Sequence, residues 1–363
     1  MHHPQPAEHP QLPLEVQLLI LDAIPEAFQD RAATQNAIRS CAETCQAWLS
    51  RARFHLYHTV HLRSHSQCYL LSRTLTENAA IATLIQHIHY TDTRPPSAFG
   101  YREMLQDPPL SMNTVSKLSS LRSAAFTFDL FTPTYFLPFV QSFSVLKSLD
   151  SLCLKNVITS TYAEIVNLLW SFPTVRAVEL DRCLWYKIGS LEDLSTYPGH
   201  YRNLRALKIR HVEEKEMCQY LHIFEAAEGL TSLLFLSHLD AMDNYDGLHE
   251  YSQLETLHLG TSNTDPSGMA AALSNVRSSK LRRISLAFKA QGEPFEALIQ
   301  QLSDSRLDDM LSTAPFLGLD QLIINVISDV SPGDAEGEIA RALPRCHGRG
   351  ILNFNVQYQP RAE

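Results

Sequence analysis

The apolar pattern of the chain changes character near residue 58. Beyond that point one short motif, L-x-x-L-x-L, keeps returning. It reads "LDSLCL" at 149–154, "VRAVEL" at 175–180, "LRALKI" at 204–209, "LTSLLF" at 230–235, "LETLHL" at 254–259, "LRRISL" at 281–286 and "LDQLII" at 319–324. Looser copies are "IQHIHY" at 85–90 and "LRSAAFTF" at 121–128. Counted from the first apolar position, successive copies lie 36, 28, 26, 29, 26, 24, 27 and 38 residues apart. A single L-x-x-L also occurs in ordinary helices, but a series in register predicts one structural unit repeated along the chain.

The alternation within each motif buries one face of a short strand, as period-2 patterning requires. Helix-like stretches separate the copies: "YAEIVNLLWSF" (162–172), "EEKEMCQYLHIFEAA" (213–227), "SGMAAALSNVR" (267–277) and "PFEALIQQLSD" (294–304). A strand followed by a helix, at a period of roughly 20 to 29 residues, is the signature of a leucine-rich repeat. The predicted fold is therefore α/β, with an irregular leucine-rich-repeat solenoid over residues 58–363 whose parallel strands line a concave sheet. Cys183 alone falls cleanly three residues after a motif's last leucine, where such repeats favour Asn or Cys, and Asn156 stands one place early. Pro-rich 93–111 and "SPGDAEGE" (331–338) read as loops, and 348–358 as a final strand that caps the array.

Residues 1–11 read as a loose, His- and Pro-rich tail, and residues 12–57 as a small helical domain. Pro13 suits a first helical position, and Pro25 is expected to end or kink that helix. A second helix, Ala32 to Leu49, is expected to carry the stripe Ile38, Cys41, Cys45, Trp48 and, beyond it, Ala52. On a helical wheel the first helix has two apolar faces. Val16, Leu19, Ile20, Ala23 and Ile24 form one; Leu14, Leu18 and Leu21 form the other, with Glu15 and Asp22 along one edge and Gln17 along the opposite edge. A small helical unit can bury one such face in itself. The other either packs between the second helix and the first repeat or meets a partner.

Composition narrows the function classes. Net charge is −9, from 39 Asp+Glu against 30 Lys+Arg, which disfavours nucleic acid and anionic membranes as partners. The longest apolar run in the opening helix is Leu18 to Leu21, so neither a membrane span nor a secretory signal is expected. Seven cysteines without a CxxC pair point to free thiols and a cytoplasmic or nuclear location. GxSxG, GxxxxGK[ST], HExxH and GxGxxG are absent from the sequence, so no catalytic residue and no cofactor is assigned. His55, His58, His61 and His65 crowd eleven residues, but their spacing spans a helix end and a strand, with no Cys or carboxylate to complete a metal's ligand set.

The first helix, Leu12-Pro13-x-Glu15-Val16 through Ile24, the Cys45-x-x-Trp48 pair and the basic "SRARF" leading into a strand together resemble an F-box of the divergent fungal type, over residues 12–60. The resemblance implies a non-catalytic substrate adaptor of a Skp1-cullin-F-box ubiquitin ligase. In it the helical domain docks on a Skp1-type linker, and through it on a cullin-RING ligase, while the repeats hold a protein substrate. The implied linker contacts are Leu12, Pro13, Leu14, Leu18 and Leu21, with Trp48 anchoring the second helix. On the concave sheet, Glu179, Asp181, Lys208, Arg210 and Arg283 flank Leu234 and Leu236, with His258 nearby, as candidate substrate contacts. The competing reading of those charges is mutual pairing across strands. A free-standing leucine-rich-repeat scaffold or inhibitor, acting outside any ubiquitin ligase, is the alternative for the whole chain.

Overall fold

The computed structural model describes residues 13–27, 30–44, 46–92, 110–128, 136–187, 201–211, 224, 227–236, 247–261, 266–290, 295–328 and 335–358. Three helices come first: α1 (Leu14–Ala27), α2 (Arg31–Thr44) and α3 (Gln46–His58). The single expected helix of residues 32–49 is thus two helices that pack along each other, and its stripe is shared between them, with Cys45 outside the described residues. Asp30 starts α2 by accepting from the Ala32 and Ala33 amides. At the other end the Thr44 hydroxyl bonds back to the Ser40 carbonyl, an interaction that weakens a helix interior and suits its last turn. Pro25 does not stop α1, which runs on to Ala27. In the last turn a missing N–H costs one bond at a point where the helix is ending anyway.

α3 leads directly into β1 (Thr59–Leu62), the first strand of an eleven-stranded sheet. The others follow in chain order: β2 (His87–Thr91), β3 (Ser123–Thr127), β4 (Ser151–Lys155), β6 (Ala177–Asp181), β8 (Ala206–Arg210), β9 (Ser232–Leu236), β10 (Thr256–Gly260), β11 (Arg283–Ala290), β12 (Gln321–Ser328) and β13 (Leu352–Tyr358). Every neighbouring pair is parallel. All nine L-x-x-L-x-L copies supply one of these strands. Between them lie short helices, among them Tyr162–Trp170, Ser267–Ser274 and Phe295–Asp304. The expected 213–227 helix, apart from Phe224 and Ala227, and most of the 93–111 loop lie outside the described residues. Part of the expected 331–338 loop is instead the start of a helix, Ala335–Ala342, whose first turn carries Glu336 and Glu338, favourable against the positive helix end.

Burial alternates along the strands. In β4, Leu152 and Leu154 are buried and Ser151, Cys153 and Lys155 half-buried. The inward leucines, the first leucine of each motif and the apolar side of the helices form one continuous core from Leu62 to Ile351. Phe126, Phe139 and Phe143 stand edge to face in it, with ring centroids 5.1 to 5.6 Å apart. Leu21, Ile38 and Ala52, buried among the three helices, lie outside this cluster.

A regularity absent from the expected pattern follows three successive strands. Asn156, Arg182 and His211, each one residue past its strand, adopt positive φ of 52° to 55°. Their amides bond to the carbonyls of Asp181, Arg210 and Leu236, extending the ladder one rung before the chain turns away. After the first two of these turns, β5 (Ile158–Thr161) and β7 (Leu184–Lys187) pair as a separate two-stranded sheet. Cys183 is fully buried there, and its thiol donates to the Leu154 carbonyl of the preceding unit at 3.4 Å.

Candidate partner-binding surfaces

Two polar residues decide how α1 sits. Trp48 Nε1 donates to Gln17 Oε1 at 2.6 Å. Asp22 takes Arg51 in a two-point contact, Nε to Oδ1 at 2.6 Å and Nη2 to Oδ2 at 2.8 Å, and His55 Nε2 at 2.8 Å. The hydrogen bond from Arg51, and then that from His55, lower the Asp22 carboxyl to about 2. Arg51 also lies over the Phe54 ring, 4.9 Å from its centroid.

Gln17 and Asp22 stand on opposite edges of α1, so bonds from both to α3 turn the arc between them inward. That arc is the Leu14, Leu18 and Leu21 face. Leu21 is 0% exposed and Leu18 half-buried, while Leu14, a turn nearer the helix start, is half exposed. Of the residues expected on a linker, Leu21 is therefore taken up by the core of the helical unit, while Leu14 stays exposed. Trp48 is half-buried and spent on Gln17; Pro13 is exposed; Leu12 lies outside the described residues. The outward face is the opposite one, with Leu19 66% and Ile20 43% exposed beside Val16 and Ala23. Among the described residues, four of the ten exposed large apolar side chains, Leu14, Val16, Leu19 and Ile20, fall within this stretch of seven residues. A concentration of that kind exceeds the single scattered apolar residues that are ordinary on a folded surface.

The second surface is the sheet face opposite the leucine core. Strand register lines its middle residues in one row: His61, His89, Ala125, Cys153, Glu179, Lys208, Leu234, His258, Ser285, Ile323 and Asn353. At its start the His61 and His89 rings stack 4.5 Å apart at 10°. His58 and His87 sit 4.9 Å apart, and burial, then His58 and His89, push the His87 imidazole below its ordinary value. Among the described residues no group of three or more His, Cys, Asp or Glu is arranged to hold a metal ion. Cys153 is pushed up to about 12, by burial first and then by Glu179. It stays a protonated thiol and a poor nucleophile.

The charged candidates separate into two groups. Glu179 lies between Lys155 at 3.6 Å and Arg210 at 3.9 Å, and Asp181 bonds to His211 Nδ1 at 2.8 Å. For Glu179, Asp181 and Arg210 the structure thus realises the cross-strand pairing. Lys208 and Arg283 are exposed, and their side chains make no hydrogen bond or ion pair among the described residues. Leu234 and Leu236 are half-buried on β9 between them.

The chain matches no family model, and no curated protein matches its sequence.

Proposed function

We propose that this protein is a non-catalytic substrate adaptor of a Skp1-cullin-F-box type ubiquitin ligase, built from an F-box-like helical unit and a leucine-rich-repeat domain. The observation that carries the reading is the outward apolar strip of α1, Val16, Leu19 and Ile20, exposed on a helix whose other side is already packed. In the ligase that strip rests on the Skp1-type linker, and the parallel sheet presents the row of half-buried side chains to a substrate. The chain does no bond chemistry. It holds a substrate lysine near a thioester carried by other subunits, so its contribution is effective concentration.

The test is a pull-down with a purified Skp1-type linker, comparing wild type with a Leu19→Asp, Ile20→Asp double variant whose fold is verified by circular dichroism. Loss of about a hundredfold in affinity, the size expected when central apolar contacts are removed, supports the adaptor. A folded wild type that does not bind the linker leaves the second reading, a leucine-rich-repeat scaffold or inhibitor working outside any ligase.

A further inference from the structure

The substrate class can be read from how charge changes along the sheet. Between β4 and β8 the outer-face charges consume one another, Lys155 and Arg210 on Glu179 and His211 on Asp181. An incoming ion there would have to break an existing pair. Between β8 and β11, Lys208 and Arg283 have no side-chain ion pair to break among the described residues. Lys208, Leu234 and His258 are direct register partners on β8, β9 and β10, which puts the backbones of Lys208 and His258 about 10 Å apart with Leu234 between them. Arg283 opposes Thr256, two residues along from His258, so Lys208 and His258 flank the leucine and Arg283 stands beyond His258.

The next row on the same face, two residues further along the strands, is apolar. Leu236 leans over Gly260, where a Cβ would come within 2.2 Å of the leucine's Cδ2, and Ala287 lies beyond. Ser285 is occupied by the Asn325 amide at 2.8 Å. Arg283 also lines a cleft of about 420 Å³ at the start of the strands, with Glu255, Arg282 and Asp320; there Arg282, not Arg283, takes Asp320, at 4.0 Å.

We infer that the strip from β8 to β11 captures an acidic peptide segment, with carboxylates on Lys208 and Arg283, an apolar side chain on Leu234 and Leu236, and His258 as a further donor. The inference rests on the reading of this face as the substrate surface. A peptide fits better than a nucleic acid, because the adjoining Glu179 and Asp181 and the chain's net charge of −9 oppose an extended polyanion but not a short acidic cluster. His258 sharpens the expectation. Burial, then Arg283 and Lys208, depress its pKa, so it is neutral at pH 7 and gains a proton on acidification. The groups that face it are Lys208 from β8, Leu234 from β9, and Arg283 and Ser285 from β11, with Glu255 just before its own strand.

The test is selection of a random dodecapeptide phage library on the full-length protein, followed by affinity measurement with the enriched peptides. Enrichment of peptides that combine Asp or Glu with Leu, Ile or Phe is expected. Affinity should fall about tenfold or more in a Lys208→Glu, Arg283→Glu variant and tighten as the pH is lowered below the ordinary histidine value of about 6.5. Lys208→Gln, which only removes an exposed charge, should weaken binding severalfold if the double variant fails to fold. The charge-matched control Arg73→Glu, Arg341→Glu, on exposed helix positions, should leave binding unchanged. No enrichment, peptides without acidic residues, or equal affinity for a single-stranded DNA of the same charge would overturn the inference. Linker binding measured in parallel separates the two claims: peptide capture without linker binding removes only the adaptor, and linker binding without acidic selection removes only this inference.

Discussion

The three-helix unit and the sheet are held together by different physics. In the sheet, each strand adds a backbone ladder and a row of leucines to one uninterrupted core. In the helical unit, the buried apolar residues among those described are Leu21, Ile38 and Ala52, and the orientation of α1 is set by two surface-accessible polar contacts. A unit that keeps Leu19 and Ile20 in water while relying on so small a core is one whose packing is incomplete by itself. The comparison teaches that exposed apolar surface here is concentrated where internal packing is thinnest, which is where a partner gains most by covering it.

The largest effect expected is in the sheet. Phe126→Ala removes the ring shared by Phe139 and Phe143 and should cost about 4 kcal/mol, read by urea unfolding of the whole domain. Leu21→Ala, at about 3 kcal/mol, should act on the helical unit alone. Amide exchange should then rise across α1 to α3 and stay unchanged in β4 to β12; a uniform rise would show that the two regions fold as one.

Asp22→Asn should cost about 1 kcal/mol, because its partners are partly solvated and surface pairs contribute little. The sign with pH follows from the depressed carboxyl. Its stabilising effect is complete above the unfolded value near 4 and is lost as pH falls through about 2. Exchange of α1 amides between pH 5 and 2 should therefore converge for wild type and Asp22→Asn at the acid end. The smallest effect is a gain. Arg182→Gly relieves a left-handed residue and should raise stability by about 0.5 to 1 kcal/mol, seen as a higher Tm. His211→Gly should gain less, since it also gives up the Asp181 bond.

Much of the sheet was legible because its code is local and redundant. Nine copies of one alternating motif leave little freedom in which residues face the core, and a shift by one residue in any of them would expose its leucines. The positive-φ residues after β4, β6 and β8 were not legible: Asn156 tolerates that conformation by type, but Arg182 and His211 do not announce it. The break between α2 and α3 was hidden for a related reason, since one apolar stripe at helical spacing fits a single long helix as well as two that share it. The pairing of Glu179 with Lys155 and Arg210 was available only as one of two readings, because it depends on three strands that touch in space and not in sequence.

The opening helix marks the boundary most clearly. Sequence by itself determined that α1 has two apolar faces, and that Gln17 and Asp22 stand at the edges between them, because helical periodicity needs nothing beyond the chain's own backbone bonds. Which face turns inward was decided only in the tertiary structure, by Trp48 and Arg51 some thirty residues away reaching those two edges. A helix can rotate about its own axis without breaking a single internal hydrogen bond, so its orientation is set by what it packs against.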